Sequence, residues 1–368
     1  MQRRKVYLEH AKTLSDSATV TVDIDIITPI SRLAIDIKAE PDGTPSATTV
    51  SDIASQVSKI ELLDGSRVLA SMSMKEWQAL NFFEMGKYPF QDVHMVDGET
   101  IEERCYINFG RHLGDIEYLF DPMKYKNPQL KITYALTVGA NDFAEGSGRL
   151  TVSAYTMDNF SGVINGFLMA KRQFTKTLAA SGHEVIDLPC DYPYRLLMLC
   201  APKVAVGVQE TFSSVKLSAD ADKIVMIDED TADILEANKS DYGQGNQIVE
   251  RISAASGYFD SDFWELMQVG CLEEASGHLA FVYAIDQNRA TIYDNTLNTT
   301  AAVSGALDTL AKITFQGYSP YGSVLLSMGD LNDEKDFIPA QSFGSLKLDL
   351  TLAAANAVYV VSQQLVRD

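Results

Sequence analysis

Ile60-Glu61-Leu62-Leu63-Asp64-Gly65-Ser66-Arg67-Val68-Leu69-Ala70-Ser71-Met72-Ser73-Met74-Lys75-Glu76-Trp77 is the stretch whose reading decides the fold. Two apolar runs, 56–62 and 67–72, flank Asp64-Gly65, a dipeptide that favours the tight left-handed turn of a β-hairpin. Ser73-x-x-Glu76 follows at once as a capping box. It predicts a helix running through Trp77, Leu80 and Phe83. A hairpin leading straight into one capped helix, with no βαβ alternation around it, is an antiparallel signature.

Outward from this stretch the period of two dominates. In 18–27, Val20, Val22, Ile24 and Ile26 alternate with Thr19, Thr21, Asp23 and Asp25, as in a half-buried strand. Residues 33–37, 104–109, 131–138 and 150–155 read the same way. In the second half, 185–189, 196–201, 212–217, 223–227, 278–285, 312–315, 323–327, 346–352 and 357–361 read as strands. Helices are few: a short one over 6–13, where Lys5, Glu9 and Lys12 have helical spacing, one within 159–174, and one started by Asp230-Thr231-Ala232-Asp233. Asp260 and Asp262, before Phe263-Trp264, read as acids of a further helix N-terminus.

The halves share an order of elements. A strand begins at Arg32-Leu33 and again at Arg195-Leu196, 163 positions on; hairpins lie near Ile60 and Val215, 155 positions apart. An acid-capped helix follows each hairpin, and a clean alternating strand follows Gly148 and Gly344. A period this long is a duplicated domain rather than a stacked repeat. About eight short strands per half, joined by turns, predict an all-β chain. It consists of two tandem eight-stranded antiparallel jelly rolls with a few short helices. The expected division is a basic N-terminal arm or helix over 1–17, a first jelly roll over 18–157, a helical linker over 158–184 and a second jelly roll over 185–368.

With two jelly rolls and a short basic start, the chain resembles the double jelly-roll major capsid proteins of tailless icosahedral viruses, the adenovirus-hexon-like and internal-membrane phage lineage. The stretches that carry the resemblance are Phe120-Asp121-Pro122, Asn127 to Tyr134, Ile186-Asp187-Leu188-Pro189, Tyr194-Arg195-Leu196-Leu197 and the closing strand 358–365. The resemblance implies a pseudo-hexagonal homotrimer with upright jelly rolls, tiling an icosahedral shell beside neighbouring capsomers and vertex or penton proteins. It also implies a virion location, synthesis in host cytoplasm, and an N-terminus facing the interior or an internal membrane. Arg3, Arg4, Lys5 and Lys12 would then be the interior- or membrane-facing residues. They form the one concentrated basic patch, and anionic headgroups attract such clusters. Removal of 1–12 is expected to spare the trimer and weaken shell formation or membrane attachment.

Composition limits the alternatives. In 368 residues, 50 Asp and Glu against 30 Lys and Arg leave a net charge of −20. That argues against a broad basic surface for nucleic acid, and no sequence-specific nucleic acid is expected. A 46% hydrophobic content supports a large core. No apolar run reaches a membrane-spanning length of about 18 residues, and no signal-peptide core follows the basic start. The chain therefore reads as intracellular in origin and unprocessed. Cys105, Cys190, Cys200 and Cys271 lack paired spacing, which points to free buried thiols rather than disulfides or zinc.

Chemistry finds little footing. His10, His94, His112, His183 and His278 belong to no catalytic or metal motif, and neither a nucleophile elbow nor a phosphate loop occurs. The acidic run from Asp220 to Asp241 reads as a solvated face with a capped helix, since the calcium-loop spacing is missing. No catalytic residue, cofactor or metal is expected, and the chain reads as a non-enzyme. The alternative is a double-sandwich glycan-acting hydrolase with a carboxylate pair in a cleft between the halves. A carbohydrate-binding module is the other, with Tyr318 and Tyr321 around a shallow groove. Trp77 and Trp264 read as core residues whose surroundings could join a trimer interface.

Overall fold

The computed structural model describes residues 2–41, 52–95, 99–136, 143–252, 258–273, 280–294 and 310–367. In chain order the first strands are β1 (Gln2–Thr13), β2 (Ser17–Asp23), β3 (Ile30–Ala39), β4 (Lys59–Asp64), β5 (Arg67–Met72), β6 (Gln91–Met95), β7 (Ile101–Asn108), β8 (Pro128–Ala135) and β9 (Arg149–Asp158). Helix α1 (Ile53–Gln56) precedes β4, and α2 (Met74–Met85) follows β5. Next come β10 (Phe167–Thr177), β11 (Gly182–Leu188), β12 (Tyr194–Cys200), α3 (Val208–Thr211), β13 (Phe212–Ala219), β14 (Ile224–Asp230) and α4 (Thr231–Tyr242). The chain ends with β15 (Gly245–Ile252), β16 (Tyr258–Asp260), β17 (Phe263–Glu273), β18 (Ala280–Asp286), β19 (Arg289–Asp294), β20 (Leu310–Pro320), β21 (Ser323–Leu326), β22 (Leu346–Leu352) and β23 (Ala357–Val366).

Sheet order makes the first eight-stranded unit a jelly roll, with facing sheets β1-β9-β3-β7 and β2-β8-β4-β5. The second unit repeats it as β10-β23-β12-β21 and β11-β22-β13-β14. Between β14 and β21 the second unit carries an insertion, β15 to β20. Its strands β15, β20 and β17 extend the first unit's sheet beyond β6. One parallel bridge, Ser71 to Lys171, joins β5 to β10, so a sheet of each unit merges into one eight-stranded sheet. Two large apolar clusters form the core, the first centred on the first unit and reaching across to Phe167, Leu196, Met198 and Val361 of the second. Leu33, Ile35, Ile60, Leu62, Trp77 and Val152 belong to one; Leu197, Phe212, Leu217, Leu348 and Val360 belong to the other. Alternation at Leu346, Leu348, Leu350 and Leu352 delivers four side chains to one face, all buried.

The duplication holds down to irregularities of the ladder. Where β3 meets β9, Ser31 bulges between Ile30 and Arg32; where β12 meets β23, Arg195 bulges between Tyr194 and Leu196. Leu8 bulges between the β1 pairs Tyr7–Ser153 and Glu9–Val152, and Gln173 between the β10 pairs Arg172–Val361 and Phe174–Val360. Bulges are conserved features of a strand pair rather than accidents. They fix the correspondence: Ile30 matches Tyr194, Tyr7 matches Arg172, and Ser153 matches Val361. The helices match as well. Ser73 and Asp230 are the N-cap residues, both helices have 12 residues, and Gly86 and Gly243 end them at φ +64° and +74°. Each residue of α2 has its counterpart 157 positions on in α4.

Several expectations need correction. Residues 6–13 are not helical, and 1–17 is not a separate arm: β1 is the first strand of the first jelly roll, paired with β9 from Gln2–Asp158 to Thr13–Arg149. Two bulges in β1 leave Lys5, Glu9 and Lys12 at a spacing that imitates a helix. Nor does a linker helix occupy 159–174, because β10 begins at Phe167 and pairs with β23. Phe263 opens a strand, so Asp260 and Asp262 start no helix. The Arg32–Arg195 match is one residue out of register, since Ser31 corresponds to Arg195. The strand after Gly148 is β9, the last of its unit, whereas the strand after Gly344 is β22, the last but one. His278 lies outside the described residues, as does the end of the strand expected over 131–138.

Candidate assembly surfaces

Helix α2 sits between the two units and is buried from Met74 to Phe83. Its charged residues each find a partner there. Ser73 and Glu76 form the capping box, Ser73 N–H donating to Glu76 Oε2 at 2.8 Å. Glu76, fully buried, also accepts from Arg172 Nε of β10 at 2.6 Å. Lys75 donates to Asp262 from the insertion and pairs with Asp52 at 2.9 Å. Gln91 and Gln247 each donate to Asp262 Oδ2 at 2.8 Å, which leaves that buried carboxylate amply satisfied. At the far end of α2, Glu84 accepts from Gln363 of β23 at 2.7 Å and faces Arg195 of β12 at 3.5 Å. Phe82 and Phe83 complete the contact edge-to-face with Phe263 and Tyr242.

Burial shapes the titration of this junction. Burial alone would lower the Lys75 ammonium, but Asp262 and Asp52 outweigh it and hold the group well above its usual range. Glu103 accepts from Ile53 N–H at 2.7 Å and from Gln78 at 3.1 Å. Burial, then the neighbouring Asp52 carboxylate, push its carboxyl up to about 8. Burial lowers Arg195, opposed by Glu84.

The outer edges are different. Among the described residues, β1 and β14 each pair on one side only. Arg3, Arg4 and Lys5 on β1 are exposed, as is Tyr7 at 53%. Arg4 pairs with Asp158 at 2.7 Å, Lys12 with Glu9 at 3.1 Å, and Lys5 Nζ lies 5.1 Å from the Tyr7 ring centroid. Arg3, Arg4 and Lys5, with Leu113 and Tyr155, line an open depression of about 490 Å³. Lys12 lies several residues along the strand and is half-buried, so the structure groups three of the four basic residues. On β14 and α4, Asp228, Glu229, Asp230, Asp233, Glu236 and Asp241 are exposed. Helix α4 buries only Thr231, Ile234 and Leu235. The acidic run is therefore a solvated face with a helix start. Among the described residues, no group of three or more metal-ligating side chains comes together.

Between the units, where the hydrolase alternative places a cleft, α2 packs with Glu76 and Glu84 bonded to Arg172 and Gln363, and beside its end lies a depression of about 330 Å³ lined by Glu84, Arg195, Asp241, Tyr242 and Asp330. Tyr318 is 8% exposed and Tyr321 stacks on Tyr359, so neither rims a groove as the binding-module reading required. Trp77 and Trp264 are buried. Cys105 and Cys200 are buried free thiols and Cys190 is a half-buried one; the Cys271 side chain lies outside the described residues. Lys75, Glu76, Glu84, Arg172, Arg195 and Asp262, which hold the junction, were not singled out as a group by sequence. Glu76 carried a signal through its capping box; Lys75 and Asp262, 187 positions apart, carried none.

No family model matches the sequence, and the search of curated proteins finds no match. Solved structures do match over the whole chain. The major capsid protein of Sulfolobus turreted icosahedral virus aligns with a TM-score of 0.61 at 11% identity, covering 100% of this chain and 97% of that one. The major capsid protein P2 of bacteriophage PM2 gives 0.55 at 10% identity, covering 100% and 98%. The PBCV-1 virus capsid gives 0.56 at 10% identity, covering 99% and 93%.

Proposed function

With the double jelly-roll fold as premise, we propose that this chain is a viral major capsid protein, a structural rather than catalytic molecule. Its copies associate as pseudo-hexagonal homotrimers that tile an icosahedral shell beside other capsid proteins. The observation that carries the reading is the end-to-end likeness to three coat proteins, with neither unit left over. Physical features agree. Two stiff sandwiches locked by α2 make one rigid block, and β1 and β14 leave ladder groups open for another copy. Unpaired edges of this kind invite pairing with a further chain. For Arg3, Arg4, Lys5 and Lys12, contact with the particle interior or an internal membrane remains one proposed role. Their place on a sheet edge offers a lateral role as well. Since β1 belongs to the sandwich, removing 1–12 would strip a strand from β9 rather than trim a free arm.

The test is assembly of the purified full chain, followed by electron microscopy across ionic strength. A net charge of −20 opposes closure and is screened over about 10 Å at 0.1 M salt. Lattices or particles should therefore form better at moderate than at very low salt. A chain that builds no oligomer or lattice at any ionic strength contradicts the reading.

A further inference from the structure

The duplicated units have one junction inside the chain and, on their outer edges, the two surfaces of a second. We propose that β14 and α4 of one copy dock on β1 of a second copy, repeating between molecules the contact that β5 and α2 make with β10 within one. This contact rests on the self-assembly reading above and names its surfaces.

The correspondence dictates the partner. β5 matches β14 and β10 matches β1, and the inner pair meets in parallel at Ser71 and Lys171. The counterparts of those residues, 157 positions after Ser71 and 165 before Lys171, are Asp228 and Val6. Among the described residues, both outer strands lack a second neighbour.

The helix carries the same logic. Asn81 of α2 accepts from Tyr106 N–H of β7 at 2.8 Å and donates to Tyr106 O at 2.9 Å. Its counterpart Asn238 accepts from Leu325 N–H of β21 at 2.7 Å and donates to Leu325 O at 3.1 Å. The two helices are thus seated alike on their own units. The acids that tie α2 to the next unit, Glu76 and Glu84, correspond to Asp233 and Asp241, which remain acidic although exposed. In the inner junction these acids meet Arg172, Arg195 and Gln363. On the first unit those positions are Tyr7, Ser31 and Tyr155. Tyr155 lines the depression together with Arg3, Arg4 and Lys5, and Tyr7 follows them two positions along β1, so cations are supplied there from adjacent places. An acidic helix end and a basic depression are complementary in charge. The contact is head-to-tail, so it propagates from copy to copy and closes when the rotation permits.

The test uses the full chain. Asp233→Lys with Asp241→Lys, and separately Arg3→Glu with Lys5→Glu, should each raise the concentration needed for association at least tenfold while leaving circular dichroism unchanged. All four substitutions together should restore association, because the charges are again complementary. Independently, Val6→Cys with Asp228→Cys should give intermolecular disulfides on a non-reducing gel, as parallel neighbours lie within bridging distance, and neither single variant should. If wild type associates but neither reversal weakens it and no cross-link forms, the contact is wrong while the shell reading stands. If the reversals spare association and abolish flotation with phosphatidylserine vesicles, the basic residues serve lipid and the contact is overturned. A wild-type chain that stays monomeric at every concentration and salt overturns both.

Discussion

Helices α2 and α4 have the same length, matching N-cap positions, a terminal glycine and the same asparagine clasp on a neighbouring strand. One is buried over its first ten residues and the other shows solvent most of its outer face. The difference does not come from how each helix sits on its own sandwich. It comes from what stands beyond: β10 and the insertion cover α2, whereas among the described residues the outer face of α4, with Asp233, Glu236 and Asp241, is exposed. Sequence has followed this difference. Trp77, Phe82 and Phe83 of α2 correspond to Ile234, Lys239 and Ser240 of α4, so aromatic cover gives way mostly to polar residues, while the acids at Glu76 and Glu84 persist as Asp233 and Asp241.

The comparison can be broken at matched positions. The largest effect should come from Glu76→Ala. It removes the capping box and the carboxylate that the half-buried Arg172 pairs with, at a cost of about 3 kcal/mol. The matched Asp233→Ala should change the stability of the isolated chain by less than about 0.5 kcal/mol, as surface substitutions do. Urea titration of both variants measures the gap, and equal losses would dissolve the contrast. Next in size, Asn81→Ala should cost about 2 kcal/mol, because it removes a fully buried side chain and strands the Tyr106 N–H and C=O that it clasps. Asn238→Ala, in a half-buried clasp, should cost less, about 1 kcal/mol.

A further prediction concerns pH. Glu103 holds its proton up to about 8, from an ordinary 4.5. The folded state thus binds more protons than the unfolded state between those values, and this group makes stability fall as pH rises through that window. Below pH 4.5 both states hold the proton, so the slope vanishes and the group costs the folded state nothing. Glu103→Gln should flatten the decline between pH 5 and 8, seen as a reduced pH dependence of the urea midpoint. An unchanged slope would mean that Glu103 is ionised in the folded protein across this range and would overturn the assignment.

Much of the fold is legible because the strands that alternate cleanly bury one face. Residues 20–26 and 346–352, the Asp64-Gly65 hairpin and the Ser73–Glu76 box all report local physics. The strands that escaped reading were those whose alternation is interrupted. β1 is an exposed edge with two register shifts, and β10 opens with four consecutive buried residues before its bulge at Gln173. A bulge moves every later side chain to the opposite face, which erases period two and can mimic a helix. The surfaces were legible only in part. The basic start was visible as a charge cluster, but its place on a sheet edge depends on β9, about 150 residues away. Asp262, Gln363 and Glu76, which Lys75, Glu84 and Arg172 meet, lie 187, 279 and 96 positions away, where neither spacing nor propensity reaches.

The most direct test of the whole account is the mass of the full chain in solution, measured by sedimentation or light scattering at moderate salt. The account predicts a discrete species with the mass of three 40.5 kDa chains. A single 40.5 kDa species persisting at high protein concentration would contradict it.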